Sequence, residues 1–267
     1  MTFLSKMNLK QSITIFPRFY NGSKKYFLSA LGFPPEIRQQ VAKVYNFCRY
    51  VDDLVDEPDL QQGTFDECYK EYQCALKTGK SSNIVINDFI EIKNLKNIKN
   101  DWVEALFKSM RMDLNNKTYN TLEDTLEYSY GVAEVIGLMM CKVLALPEDA
   151  YEPAQKLGRS APWINFLRDI NEDLQTGRCY FPKSDFIKCG LKDLNYETVI
   201  KNKEAFRKFI ELQSKRYDKW TQLGEIGYDL IPRKYIKPII YATELDKWKL
   251  TQIKKNCTWI IENRVVI

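Results

Sequence analysis

The chain has 267 residues, 45% of them hydrophobic, and a formal net charge of +5. That length buries a substantial core, while the longest uncharged apolar run, 135–141, falls far short of the roughly 20 residues a membrane helix needs. Histidine is absent and the seven cysteines are irregularly spaced, which excludes Ser-His-Asp and Cys-His nucleophiles, histidine-bound zinc and a disulfide framework.

Any chemistry must therefore use carboxylates, Tyr, Lys, Arg, backbone dipoles or metal. Reduced thiols and a start at 1–16 without a signal-like apolar core are expected of a cytoplasmic protein. In the stretch 231–267, eight basic residues face three acidic ones. This excess suits a solvated helix face, an anionic substrate or peripheral contact with an anionic membrane. It matches no nucleic-acid-binding module.

Apolar spacings of three and four recur along most of the chain, without repeats or Gly/Ser linkers, and predict one all-α domain over residues 1–267. Pro34-Pro35-Glu36 starts a helix. Val41, Val44, Tyr45, Cys48, Val51 and Val55 stripe it, and Pro58 stops it. A loop follows at 79–83, then helices at 101–114 and 122–146. Gly131 and Gly137 inside the latter cost helix stability and signal close approach by another helix or a ligand. Pro147 begins the next element, and the helix after it ends near Thr176-Gly177. Residues 181–196 read as irregular, and two helices fit 197–223 and 232–256.

Two acidic clusters stand inside apolar, helix-periodic stretches: Asp52-Asp53-Leu54-Val55-Asp56 and Asp169-Ile170-Asn171-Glu172-Asp173. Carboxylates four residues apart lie one turn apart, with a rise of about 6 Å. Such crowding is unfavourable unless a cation compensates it. Tyr45, Arg49, Asp52 and Asp56 fall at intervals of four, three and four, and Asn165, Arg168, Asp169 and Asp173 at three, one and four, with the same four-residue step between the two aspartates. If the two helices face each other, four carboxylates converge. Mg²⁺ prefers such hard oxygens and retains phosphate oxygens in its shell, so bridging metals would bind a diphosphate. Arg49 would neutralise leaving-group charge. Departure of diphosphate leaves an allylic carbocation, which needs an apolar, aromatic cavity. Aromatics make up 13% of the chain, among them Tyr26, Phe27, Phe47, Tyr128, Tyr130, Trp163 and Phe166 near these helices. The alternative is two exposed acidic faces paired with Arg or Lys; matched Arg and Asp placement in both clusters argues against it.

Residues 45–57 (YNFCRYVDDLVDE) and 165–182 (NFLRDINEDLQTGRCYFP) resemble the two motifs of the squalene and phytoene synthase family. Residues 110–114 and 130–140 also resemble family segments, and the similarity runs roughly from Ser23 to Arg264. Short archaeal or bacterial phytoene-synthase-like members are the nearest in kind. The resemblance implies an all-α prenyl synthase bundle with a central cavity. It implies head-to-head condensation of two allylic prenyl diphosphates, farnesyl or geranylgeranyl, through a cyclopropylcarbinyl diphosphate.

By the same resemblance, Asp52, Asp56, Asp169 and Asp173, with Asn165, match the ligands of two or three Mg²⁺ ions. Tyr45, Arg49, Asn165 and Arg168 match diphosphate-site positions. Ser23 and Lys24 match an N-terminal flap at about 16–30. Tyr128, Val132, Ala133 and Gly137 match a cavity-lining helix, Gly137 having helix packing as its other reading. Arg264 matches a basic residue near the family's C-terminus. A monomer or weak dimer is implied, and no glycine loop supports a nicotinamide cofactor. Pro162, Lys25 and Asp246 depart from the family pattern near positions expected to face substrate. They keep two alternatives open: a terpene synthase that ionises and cyclises or quenches one prenyl diphosphate, and a non-catalytic prenyl-lipid-binding protein.

Overall fold

Helix follows helix throughout the computed structural model, which describes residues 17–56, 62–115 and 117–262. Residues 1–16, Pro58 and Arg264 lie outside the described residues. Among the described residues there is no strand, and no helix is long and apolar enough to cross a membrane. After a helical stretch at 17–22 come α1 (Lys24–Ala30), α2 (Pro35–Asp56), α3 (Gln62–Thr78), α4 (Ile84–Lys96) and α5 (Asn100–Leu114). Then follow α6 (Leu122–Ser129), α7 (Val135–Val143), α8 (Tyr151–Arg168), α9 (Ile170–Gln175), α10 (Lys183–Cys189), α11 (Tyr196–Lys201), α12 (Lys203–Glu225) and α13 (Arg233–Lys255).

Local chemistry sets many of these ends. Pro35 opens α2, where its missing N–H costs nothing. Asn83 caps α4 by accepting from the amides of Val85 and Ile86. Thr121 and Asp124 form a capping box at the start of α6.

The helix predicted over 122–146 is not continuous. Tyr130–Glu134 form a π-helical turn between α6 and α7, and α7 ends at Val143, followed by Ala145 at φ 53°. The turn lets Gly131 press against α5, where any Cβ would collide with the Ala105 carbonyl and the Ser109 side chain. Gly137 performs the same service toward α8: its Cβ would stand 2.6 Å from the Ala154 carbonyl oxygen. Of the two readings of these glycines, helix approach is the one observed.

Three further boundaries differ from expectation. The segment expected to be irregular contains α10, started by extended Pro182 and closed by Gly190 at φ 78°. The predicted 197–223 helix is broken at Asn202, whose φ −128° and ψ 47° leave the helical region. The helix carrying the second acidic cluster breaks at Asp169 (φ −102°, ψ 14°), so Asn165 and Arg168 end α8 while Asp173 lies on α9. Pro162 sits buried inside α8, removing the donor that would have met the Gly158 carbonyl.

The core forms two clusters. In one, Phe47 of α2 stacks on Phe89 of α4 at 3.8 Å and meets Phe107 of α5 edge-on. In the other, Trp163 of α8 contacts Phe166, Phe181 and Trp220. Val132, in the π turn, packs against both. Buried ion pairs tie the pieces together. Arg159 of α8 donates two hydrogen bonds, of 2.6 and 3.1 Å, to Glu134, which is 1% exposed. Arg216 of α12 likewise grips fully buried Asp185 of α10, which also accepts from Gln213.

Gly131→Ala is expected to destabilise the protein by about 1–3 kcal/mol, although alanine is the better helix former by about 1 kcal/mol. Urea unfolding checks this; equal or greater stability would show that the π turn does not depend on the close approach of α5.

Candidate active site

The two acidic clusters meet through an arginine. Arg178, in the loop after α9, donates to the Asp56 carboxylate at 2.6 Å and to the Val55 carbonyl at 2.8 Å. Its guanidinium therefore joins the end of α2 to the segment just past Asp173. At the first cluster, Arg49 donates to Asp52 at 2.8 Å and pairs with Asp53 at 2.6 Å. At the second, Arg168 grips Asp169 with two bonds of 2.7 and 2.5 Å. Asp169 can face its neighbour this way because the helix breaks there.

Asp113 of α5 lies between the clusters and is 7% exposed. It accepts hydrogen bonds from Tyr128 of α6 at 2.7 Å and from Tyr180 at 3.1 Å. Tyr180 stacks on Tyr128 at 5.0 Å and on Phe166 at 4.5 Å, building an aromatic wall beside the carboxylates. The flap closes another side. Phe19 stacks on Tyr45 at 4.2 Å, and Ser23 caps α1 by accepting from the Tyr26 amide. Ser29 donates to the Pro238 carbonyl on α13 at 2.5 Å, and Lys25 pairs with Asp246 at 2.6 Å.

Crowding leaves an electrostatic signature. Burial, then the charge of Asp56, pushes the Asp52 carboxyl up to about 7 against the pull of Arg49. Burial, then Asp169, pushes Asp173 up to about 8. Burial raises Asp113 to about 6, although both tyrosines and Arg178 oppose the shift. Burial also raises Tyr128 and Tyr180 well above the usual phenol value, so both stay protonated donors.

Among the described residues, no three carboxylates stand close enough to hold one ion as they lie; Asp52, Asp56 and Asp169 are instead turned to arginines. The donor set nevertheless fits a hard divalent cation: it is made of carboxylate oxygens, and burial, then a neighbouring carboxylate, raises Asp52 and Asp173, a cost that a bound cation would relieve.

The remaining sequence candidates fall in different places. Lys24 is exposed on the flap, near the Tyr20 ring. Asn165 is exposed at the end of α8. Half-buried Ala133 meets α8 through its carbonyl, 2.8 Å from where a Cβ on Gly158 would stand. Sequence reasoning did not single out Arg178, Asp113 or Tyr180, which the structure brings to the two clusters. A signal existed for Asp113: it follows Leu106 and Met110 on the buried stripe of α5, where an unpaired aspartate would be costly.

A family model described as squalene/phytoene synthase matches residues 20–267. A chloroplastic phytoene synthase of an Oncidium hybrid cultivar is 28% identical over 253 residues, covering 88% of this chain and 59% of the relative. A 15-cis-phytoene synthase of a Paracoccus species is 30% identical over 173 residues, covering 60% of this chain and 56% of the relative. The chain thus spans less than two thirds of the length of these relatives. Among solved structures, a dehydrosqualene synthase bound to a ligand superposes with a TM-score of 0.85 at 24% identity, covering 93% of this chain and 87% of that one. The squalene synthase HpnC of Alicyclobacillus acidocaldarius gives a TM-score of 0.82 at 19% identity, covering 96% and 98%. Two facing acidic clusters on this helical frame, matched by the family model along nearly the whole chain, make the protein a member of the squalene/phytoene synthase family.

Proposed function

We propose that this protein condenses two allylic prenyl diphosphates head-to-head, as in phytoene or squalene formation, through a cyclopropylcarbinyl diphosphate intermediate. The observation that carries the reading is the Arg178–Asp56 bond, which ties the segment just past Asp173 to the first cluster, with Asp113 in the field of Asp56 and Asp173. The printed names of the relatives, phytoene synthases, point the same way. Farnesyl or geranylgeranyl diphosphate is the substrate class. Two or three Mg²⁺ ions, held by Asp52, Asp56, Asn165, Asp169 and Asp173, would neutralise the departing diphosphate.

The chain's own residues supply the rest. Arg49, Arg168 and Arg178 offer guanidinium groups where negative charge develops. Ser23, Lys24 and Tyr45 bring the flap over the diphosphate. Tyr128 and Tyr180 donate their hydroxyl protons to Asp113, which fixes the two rings beside the carboxylates, where aromatic surface would stabilise an allylic cation. Phe166 and Val132 extend that wall and exclude water. Ionisation requires no general base, since diphosphate leaves directly.

A second reading, ionisation and cyclisation of one prenyl diphosphate, is favoured by Pro162, buried in α8 one turn before Asn165. Peripheral contact of a cytoplasmic enzyme with a membrane would use the basic excess, part of which lines an outer groove formed by Arg207, Lys208, Lys215, Lys254 and Lys255.

Incubation with farnesyl and geranylgeranyl diphosphates plus Mg²⁺ is expected to release diphosphate and yield a hydrocarbon skeleton with doubled carbon count by mass spectrometry. A product with one substrate's carbon count would establish cyclisation, and no diphosphate release from either would refute both catalytic readings. Asp52→Ala and Asp173→Ala are each expected to slow turnover by roughly a hundredfold or more; near-normal rates would remove these residues from the site.

The raised carboxyls also set a pH dependence. At Asp52 and Asp173 the folded, metal-free protein binds more protons than the unfolded chain between the unfolded aspartate value of about 3.9 and the raised folded values of about 7 and 8. Its stability is therefore expected to fall as pH rises toward and through about 7 and 8, where Asp52 and Asp173 ionise. Thermal melts at pH 5.5 and 8.5 check the sign. Mg²⁺ with pyrophosphate should recover more stability at the higher pH, and calorimetry should record proton release on binding that is largest near pH 6.

A further inference from the structure

Behind the second acidic cluster, α1 and α13 enclose a group of buried charges. Asp246 and Lys249, one turn apart on α13, are 5% and 6% exposed. Lys25 reaches across from α1 and donates to Asp246 Oδ2 at 2.6 Å. The other oxygen, Asp246 Oδ1, is buried and accepts no hydrogen bond. Lys249 Nζ lies 3.8 Å from that oxygen, too far for a hydrogen bond. It donates none to any described residue.

The charges that act most strongly on Lys249 are Lys25, Asp246, Arg168 and Asp169. Arg168 and Asp169 already satisfy each other through two bonds, and exposed Glu172 also acts on Arg168. Lys25 holds Asp246. Three cations thus share two buried or half-buried carboxylates, and Lys249 is the one held only by the 3.8 Å ion pair to Asp246, with no hydrogen bond among the described residues. Burial, then repulsion from Lys25, lowers its pKa below the ordinary lysine value. A buried ammonium without a hydrogen-bonded partner is costly. Its position beside Arg168 and Asp169 gives that cost a purpose, because an arriving anion would supply the missing partner.

We propose that Lys249 is a diphosphate-binding residue, donating to a phosphate oxygen of the prenyl diphosphate at the second acidic cluster, with the Lys25–Asp246 pair as the strut that holds the flap helix beside it. The proposal rests on the head-to-head prenyl diphosphate reading above and extends it to a residue outside both motifs. It also gives two of the departures, Lys25 and Asp246, a joint function: they are one ion pair between α1 and α13.

The test uses the full chain, with Mg²⁺ and inorganic pyrophosphate titrated by calorimetry and prenyl diphosphate turnover measured in parallel. Lys249→Met removes the charge and keeps the length, and Lys249→Gln serves if the first variant does not fold. Without ligand, the variant is expected to melt at or above the wild-type temperature, since a buried charge with only a distant partner is gone. Its pyrophosphate affinity should fall at least about tenfold, the loss of one charge-assisted bond, with a matching rise in KM. Lys249→Arg should keep affinity within about threefold.

Pyrophosphate affinity within twofold of wild type would overturn the proposal. So would a lower melting temperature with unchanged affinity, which would make Lys249 a structural partner of Asp246. Wild-type protein that binds pyrophosphate but releases none from either prenyl diphosphate would fail the functional reading and leave Lys249 to be judged by pyrophosphate affinity alone. Normal turnover with Lys249→Met indistinguishable from wild type would fail the Lys249 proposal and spare the function. Wild-type protein that binds no pyrophosphate would overturn both.

Discussion

Like charge forced together is the constraint on which this molecule is organised. Asp52, Asp56, Asp113, Asp169 and Asp173 come from three helices and the junction of α8 with α9, and each lies in the field of at least one other. Without ligand the fold manages them in two ways. Arg49 takes Asp52 and Asp53, Arg168 takes Asp169 and Arg178 takes Asp56 by short bonds, and Asp52, Asp113 and Asp173 hold protons at pH values where an exposed aspartate would not. Both devices are provisional. An arginine bonded to a carboxylate can turn to a phosphate of similar geometry, and a carboxyl that ionises near neutrality can trade its proton for a metal.

The scaffold that enforces this crowding is rigid and mostly apolar. Gly131, Gly137, Gly158 and Gly224 bring the backbones of α5, α7, α8 and α12 into direct contact. Glu134–Arg159 and Asp185–Arg216 then fix the rotation of those helices about their axes. Such buried pairs contribute little net stability compared with apolar replacements, but their two-pronged geometry allows one register. The flap is held by a stacked Phe19–Tyr45 pair, the Ser29–Pro238 hydrogen bond and the buried Lys25–Asp246 ion pair.

Much of this was legible in the chain itself because helical period, proline placement and acidic spacing are local signals. The start of α2 at Pro35, the cap at Asn83 and the arginine three residues before Asp52 all follow from neighbours in sequence. What escaped detection depends on partners far away. Arg178 reads as an ordinary loop residue until α2, 122 residues earlier, supplies Asp56. Asp113 gains meaning from Tyr180, 67 residues on. The break at Asp169 follows no proline or glycine; the residue leaves helical geometry where its carboxylate meets the Arg168 guanidinium. Seven residues sufficed for α10 because Pro182 and Gly190 bracket it, a punctuation that a search for longer periodic stretches overlooks.

The π turn at Tyr130–Glu134 carries one more consequence. A wider turn advances the chain without the usual rotation, so α7 is out of phase with α6 by roughly one residue's angle, about 100°. One continuous run of sequence can then present Tyr128 to Asp113 on one side and Met139 to the other core cluster. The turn works as an angular offset between a half that meets Asp113 and a half that packs in the other core cluster. Substitutions in α7 can retune core packing without rotating Tyr128, and the two halves can diverge in sequence independently.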